Sequence, residues 1–585
     1  MSDQALQELN AQTVPLKTSR VGEKAPLGIL ATLGVLGFIA VALIALHAPL
    51  LRLPYFWDEA GYYIPAARDL FTGSLIPHST PSNAHPPLVM AWLALSWKIF
   101  GQSIPITRVA MLLLAAFSLT GFYRLASAVA NSKVAIVSTL LTTIYPLFFA
   151  QSSLAQIDLP AAGLVFWALE AYLRRRPTTT AIWFSLAVLA KETAVLVPVG
   201  LVAWEGIAAL LERMNLQKIS IAGFDRAKAS EPQRTSFDFT QGRLRYAKTI
   251  TALLCPIVVL ALWYAYHYTR TGFVFGNPEF FRYNLQGNFH PLRILLALLL
   301  RLWQTFGYLN LYVLTLACLL AMKYPAQMVG IKDFASNRDQ LEETKFRARI
   351  DIPVQLAFAT VVIVYLLALS VLGGAVLARY MLPVVPLFIL VAVSTIWRRL
   401  RAWKAVLGVV AIAFLVGLFV NPPYGFSPED NLAYRDYIQL HQEAEAFVEA
   451  RYPHARVLTA WPASDELSRP NLGYVAQPLQ VVRIEDFSAE ELMAAADESA
   501  RFDVALIFST KVQTGRSWLD HWRQWQEWKT RYFGYHVDLT PEAAASVLGG
   551  NLVYVKQSQR PRHGQWVGVI EMEKPQEAMN QLVVR

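Results

Sequence analysis

Long apolar runs recur along the first 420 positions, each broken by a short polar or basic stretch. The first covers about residues 27–51 and lacks a clear small-residue cleavage site, so it reads as an anchor that stays. Further runs follow at 104–127, 134–150, 159–173, 181–190, 194–211, 250–268, 294–322, 352–372, 375–397 and 405–420. Crossing a bilayer takes about 20 apolar residues, so 181–190 is the weakest of these. Residues 86–100 are apolar but short and contain Lys98, and are read as re-entrant or interfacial. Beyond Asn421-Pro422-Pro423 the pattern changes. A helix over about 432–451, strands at 457–460 and 479–484, a helix around 488–500, a strand at 504–508, a Trp-rich helix around 516–530, and strands near 552–555 and 566–570 predict a small α/β domain.

The chain is thus expected to be a polytopic α-helical membrane protein of about eleven crossings with a C-terminal soluble α/β domain. It divides into a tail (1–25), a membrane domain (26–420) with a first outer loop at 52–103, and a soluble part (421–585). Composition agrees: 55% hydrophobic residues, only 16% charged and 16 Trp exclude an ordinary soluble enzyme. The net charge of +10 is informative through its placement. With 86–100 not crossing, Lys17, Arg20 and Lys24, Arg124 and Lys133, Arg174 to Arg176, the basic loops 213–248 and 323–351, and Arg398 to Lys404 all fall on one side, which the positive-inside rule makes cytoplasmic. The soluble domain then lies outside. The cations interrupt spans and form no surface stripe, so nucleic acid is not a partner. Cys255 and Cys318 lie inside apolar runs and indicate no disulfide framework.

The same parity collects polar residues on the outer face: Asp58 and Glu59 after the first run, His85, Asp158, Lys191-Glu192, Arg270, Arg282, His290 and Arg293, and Arg379-Tyr380. Ionisable residues at the rim of a membrane domain point to a functional site. Carboxylates facing Lys and Arg there suit a substrate with an anionic lipid headgroup: cations grip phosphate and a carboxylate activates an acceptor or holds a metal. Each residue also has a plain reading. Asp58 serves as an N-cap, Lys191 snorkels, Arg379 pairs with Asp158 to hold spans together, Arg293 and Arg301 anchor at the interface, and His85 caps a loop, having no second ligand at metal spacing. Trp518, Trp522, Trp525 and Trp528 read as core.

Trp57-Asp58-Glu59, His85-Pro86-Pro87-Leu88, Gln156-Ile157-Asp158-Leu159-Pro160, Leu189-Ala190-Lys191-Glu192 and Ala378-Arg379-Tyr380-Met381-Leu382-Pro383, taken in order, resemble the GT-C glycosyltransferases. The branch is that of protein O-mannosyltransferases and lipid A aminoarabinose transferases, and the resemblance covers about residues 27–420. It implies a GT-C-like fold and an integral inner-membrane enzyme. Such an enzyme takes a sugar from a polyprenyl-phosphate carrier and passes it, with inversion, to a lipid, glycan or protein acceptor. By position it makes Asp58 the base or metal-side carboxylate, Glu59 its helper and Asp158 the second acid. Arg379 and Lys191, with Tyr380, would contact phosphate, and His85 would lie near the carrier headgroup. Ala84 stands where the aminoarabinose branch has an acid, which removes that metal ligand. The sequence requires no cofactor, and metal ligands are left unassigned, a divalent cation remaining open. Two competing readings are a transporter or flippase of lipid-linked sugars, which would favour carboxylates deep in spans and inverted repeats, and a non-catalytic glycan-binding homologue.

Overall fold

The apolar runs form helices in a computed structural model that describes residues 28–213, 236–281, 289–328, 346–372, 374–511, 521–560 and 564–573. Lys17, Arg20, Lys24, Arg282, Trp518 and most of the two basic loops lie outside the described residues. Six described segments are helical, long and apolar enough to cross a membrane: Ile29–Leu50, Ile104–Val129, Glu192–Leu211, Tyr246–Thr271, Pro291–Ala321 and Ile352–Val371. Leu88–Phe100, Ser132–Ile144, Pro177–Ala190 and Trp403–Phe419 are apolar but shorter.

Local chemistry explains the breaks. The run 134–150 stops at Tyr145, held extended before Pro146, and resumes as Pro146–Gln151. The run 294–322 divides at Leu309 and Asn310, both left-handed, into Pro291–Phe306 and Leu311–Ala321. The run 375–397 begins its helix only at Val385, so Arg379 and Tyr380 sit on a preceding short turn, Ala378–Met381, rather than at the start of a span. Helices 104–129 and 158–173 pack closely because Gly163 has no side chain: a Cβ there would lie 1.9 Å from Ser118 Oγ.

The two ends of this bundle differ. At one, Arg124 binds Thr32 Oγ1 (2.6 Å) and Glu170 (3.1 Å), and Arg174 binds Glu170 (2.6 Å). At the other lies the turn that carries Asp58. It begins at Trp57, whose φ of 52° is rare for a residue with a side chain, and runs into a single wide turn, Glu59–Tyr63.

The C-terminal part is a five-stranded mixed sheet in the order β2-β1-β3-β5-β4. Its strands are β1 (Arg456–Ala460), β2 (Gln480–Ile484), β3 (Val504–Phe508), β4 (Gly550–Gln557) and β5 (Trp566–Met572). The first three strands pair in parallel and β5 closes antiparallel on β3 and β4. The helix Ala433–Arg451 packs on the sheet and the Trp-containing helix is Arg523–Phe533. This domain sits directly on the Asp58 turn. Trp461 packs edge-on to Trp57 at 5.1 Å, Phe56 meets Tyr437 at 5.1 Å, and a Cβ on Gly61 would lie 2.8 Å from Trp461 Nε1.

Beneath the turn, Glu59 and Arg108 form an ion pair with no solvent exposure to speak of (0% and 1%). Glu59 also accepts from the amides of Phe56 (2.8 Å) and Ala155, while Arg108 donates to the carbonyls of Ser153 (3.0 Å), Leu53 (3.2 Å) and Pro54 (2.6 Å). Removing one partner of such a pair strands a buried charge, so Arg108→Ala is expected to cost about 3–5 kcal/mol. The check is thermal unfolding in detergent. A combined Glu59→Leu/Arg108→Met variant should lose less than Arg108→Ala alone.

Candidate active site

Five distant segments meet at the Asp58 end of the bundle. Asp58 is delivered by the turn after the first helix, Asp158 opens helix Asp158–Leu173, and Lys191 ends helix Pro177–Ala190. Arg379 and Tyr380 come from their short turn, and Glu429 from another, Pro428–Asp430. Arg379 is the hub. Its guanidinium pairs with Asp58, Asp158 (Nε–Oδ2 3.1 Å) and Glu429, while Lys191 pairs with Asp158 from the other side. The Lys191 ammonium stands 3.7 Å over the Tyr380 ring, and Arg301 approaches the same ring at 5.5 Å.

Exposure separates the three acids. The side chains of Asp158 and Glu429 are 2% exposed, that of Asp58 19%, so Asp58 is the carboxylate with an open side. The charges almost balance. Three carboxylates face Arg379 and Lys191, but burial, reinforced by Asp58 and Asp430, pushes the Glu429 carboxyl up to about 8 against the pull of Arg379. At neutral pH Glu429 therefore holds a proton, leaving two anions to two cations. Asp430, which accepts from the Tyr308 hydroxyl at 2.5 Å, is likewise raised by burial, to about 6.

The remaining expected residues fall around this cluster. His85 hydrogen-bonds Glu192 (Nδ1–Oε2 2.9 Å) and its ring lies 6.0 Å from that of Tyr63, so the His85 loop and the Lys191-Glu192 turn are joined. His85 and Tyr63 line a pocket shared with Trp263, which borders an open cleft along residues 77–82 and His267. Glu59, expected to help Asp58, is placed with Arg108 instead, its oxygens bound to the backbone of the loops at 56 and 155.

Two residues join the site from outside the motifs. Glu429 lies a few residues past the Asn421-Pro422-Pro423 stretch, where Ser427 and Asp430 form a capping box that marks an ordered turn. Arg301 was read as an interfacial anchor but is fully buried, donating to Gln304 Oε1 (3.0 Å) and the Leu377 carbonyl (2.7 Å), with no carboxylate partner among the described residues. Its charge is offset only from a distance, by Asp158 and the face of the Tyr380 ring.

A helical membrane-type chain carrying a buried carboxylate–arginine cluster at one end of its bundle is the class that fold and site define. Residues 84–222, which include His85, Asp158 and Lys191, match the model of the family described as dolichyl-phosphate-mannose-protein mannosyltransferase, and over this segment the resemblance drawn from the motifs is met. No curated protein matches the sequence. Among solved structures, the chain is similar to ArnT from Cupriavidus metallidurans bound to undecaprenyl phosphate (14% identity, 92% of this chain and 98% of that one, TM-score 0.48). It is also similar to the same protein in the apo state (14%, 92% and 98%, 0.46). The Archaeoglobus fulgidus oligosaccharyltransferase tethered to an acceptor peptide is a further likeness (13%, 81% and 68%, 0.43).

The proton on Glu429 has a measurable consequence. Its carboxyl is raised from 4.5 to about 8, so the folded chain binds that proton more tightly than the unfolded chain. The resulting stabilisation is complete below about pH 4.5 and lost as pH rises through about 8. Glu429→Gln should remove this slope: compared with wild type, the variant's thermal midpoint should improve progressively from pH 5 to pH 8. Parallel profiles of wild type and variant would contradict the assignment.

Proposed function

We propose that the chain is a membrane glycosyltransferase that moves a sugar from a polyprenyl-phosphate carrier to a lipid, glycan or protein acceptor. The reaction takes place at the outer face of the cytoplasmic membrane. The chain crosses about eleven times, with its N-terminus inside and the sheet domain outside. The observation that carries the reading is the pairing of one partly open carboxylate, Asp58, with a cation set (Arg379, Lys191 and Arg301) on a single buried cluster.

Asp58 takes the proton of the acceptor hydroxyl, the acceptor oxygen bonds to the anomeric carbon, and the bond from that carbon to the carrier phosphate breaks with inversion. The leaving phosphate gains a charge as it departs. Cations fixed around it therefore stabilise the transition state more than the bound donor. In the resting cluster Arg379 holds Asp58 in an ion pair. A donor phosphate seated on Arg379 and Lys191 competes for that guanidinium and releases Asp58 to act as base, so the base is armed only when donor is present. Asp158 keeps Lys191 and Arg379 in register, Tyr380 supplies the ring between the cations, and His85 with Glu192 shapes the entry beside Tyr63.

The test is transfer from a labelled polyprenyl-phosphate sugar in membranes bearing the protein. Asp58→Asn is expected to lower turnover by roughly 10²–10⁴-fold, the range of a lost general base. Arg379→Lys, which gives up the multidentate geometry, is expected to lower turnover with release of carrier phosphate falling in step. Wild-type transfer by Asp58→Asn overturns the base assignment, and movement of carrier across the bilayer without a glycosidic product favours the transporter. For sidedness, a cysteine at the exposed Gly425 is expected to react with an impermeant maleimide in right-side-out vesicles. Reaction only after permeabilisation would invert the topology.

A further inference from the structure

A second constellation of ionisable groups lies in the sheet domain, outside the cluster assigned above. Helix 433–451 carries His441 and Glu445 one turn apart, so both project from the same face. Glu466 reaches them from the helix Ala463–Ser468 that follows β1. All three are buried (1%, 0% and 0% exposed). His441 Nδ1 lies 2.7 Å from Glu466 Oε2 and 3.4 Å from Glu445 Oε1, and one donor atom from each residue falls within 4.8 Å of the others.

Hydrogen bonding inside the protein leaves this group unfinished. Among the described residues no N–H or hydroxyl donates to either oxygen of Glu445 or to Oε1 of Glu466, His441 Nε2 has no partner, and no lysine or arginine is ion-paired with either glutamate, although the two carboxyls lie within hydrogen-bond reach of each other. The independent sign of a ligand is Tyr437. Its ring stacks on His441 at 3.9 Å, it is 1% exposed, and its hydroxyl, also without a partner, lies in the field of Glu466 and Glu445. Two carboxyls buried with only one imidazole are costly as a doubly charged pair, and either a shared proton or a bound cation relieves them.

We propose that His441, Glu445 and Glu466 bind a divalent metal ion of the zinc class, with the Tyr437 hydroxyl or a water as fourth ligand. Imidazole nitrogen with carboxylate oxygens is a donor set such ions take. Metal–ligand bonds of about 2.0–2.1 Å in a tetrahedron set ligand atoms roughly 3.3 Å apart; His441 Nδ1 and Glu445 Oε1 already stand at 3.4 Å, whereas Glu466 Oε2, hydrogen-bonded to Nδ1 at 2.7 Å, has to move outward. Binding displaces the proton between His441 and Glu466 and leaves the two carboxylates and the ion as a neutral group. The position is closed to solvent, which fits a structural ion rather than a catalytic one. Tyr437 also packs against Phe56 at 5.1 Å and Trp57 at 5.8 Å, so the ion would stiffen the layer on which the Asp58 turn rests.

The experiment uses the full chain purified in detergent without chelator and then supplied with Zn²⁺ and dialysed. Elemental analysis is expected to find about one equivalent retained, EDTA to lower the thermal midpoint, and added Zn²⁺ to restore it. Co²⁺ in place of Zn²⁺ should give the visible absorption of a tetrahedral site. Glu445→Gln/Glu466→Gln should lose the ion and the chelator sensitivity, whereas Asp58→Asn should keep both. Absence of a retained equivalent and of any EDTA effect in the wild type overturns the proposal, and that arm does not depend on whether a variant folds. Retention by Glu445→Gln/Glu466→Gln with loss in Asp58→Asn also overturns it, because the ion would then belong to the carboxylates around Arg379.

Discussion

The membrane part and the sheet domain are held to one another by Arg379. Its guanidinium is 2% exposed and meets carboxylates from the turn after the first helix, from the start of helix 158–173, and from the turn that follows the last apolar helix. The anions around it offset the cost of burying the Arg379 guanidinium. Arg379 and Lys191 in turn offset the burial of the three acids, one of which is protonated. The arrangement therefore fixes the relative placement of five segments by charge rather than by shape alone.

The surrounding packing serves that constraint. Glu59 and Arg108 clamp the loops at 53–56 and 153–155 from below, and Trp461 closes on Gly61 and Trp57 from above. Asp58 is left between them on a backbone whose preceding residue is in a conformation side chains rarely adopt. Tyr308, placed by the break at Leu309 and Asn310, supports Asp430 and so the turn that brings Glu429 inward. The irregular points of the helices are thus the points at which site residues are set.

Much of this was legible from hydropathy and charge. Parity put Asp58, Asp158, Lys191 and Arg379 on one side, and the structure gathers those four into a single cluster. What hydropathy could not resolve was where an apolar run bends. Pro146, the Leu309-Asn310 pair and the prolines near 383–386 break runs that are continuous in composition, because the interruption comes from backbone geometry and not from polarity. Glu59 was grouped with Asp58 because they are adjacent, yet neighbouring residues on a turn point in different directions. Arg108 and Arg301 were illegible for the opposite reason: a single arginine inside a long apolar run gives no sign of whether it meets lipid, a carboxylate or a ligand. Glu429 was hidden by position, since it falls between the Asn421-Pro422-Pro423 stretch and the helix read over about 432–451, where only the Ser427–Asp430 box marks an ordered turn.

The place of Glu429 in the chain also sets an order of events. Asp58 leaves the ribosome early and Glu429 only after the final apolar segment, so a nascent polypeptide carries Arg379 with one of its three carboxyl partners missing until synthesis has passed that segment. Completion of the Arg379 cluster is thereby tied to synthesis of the segment that leads into the sheet domain. A chain halted before Glu429 would leave one face of the buried guanidinium without its carboxyl partner, which marks it chemically as unfinished.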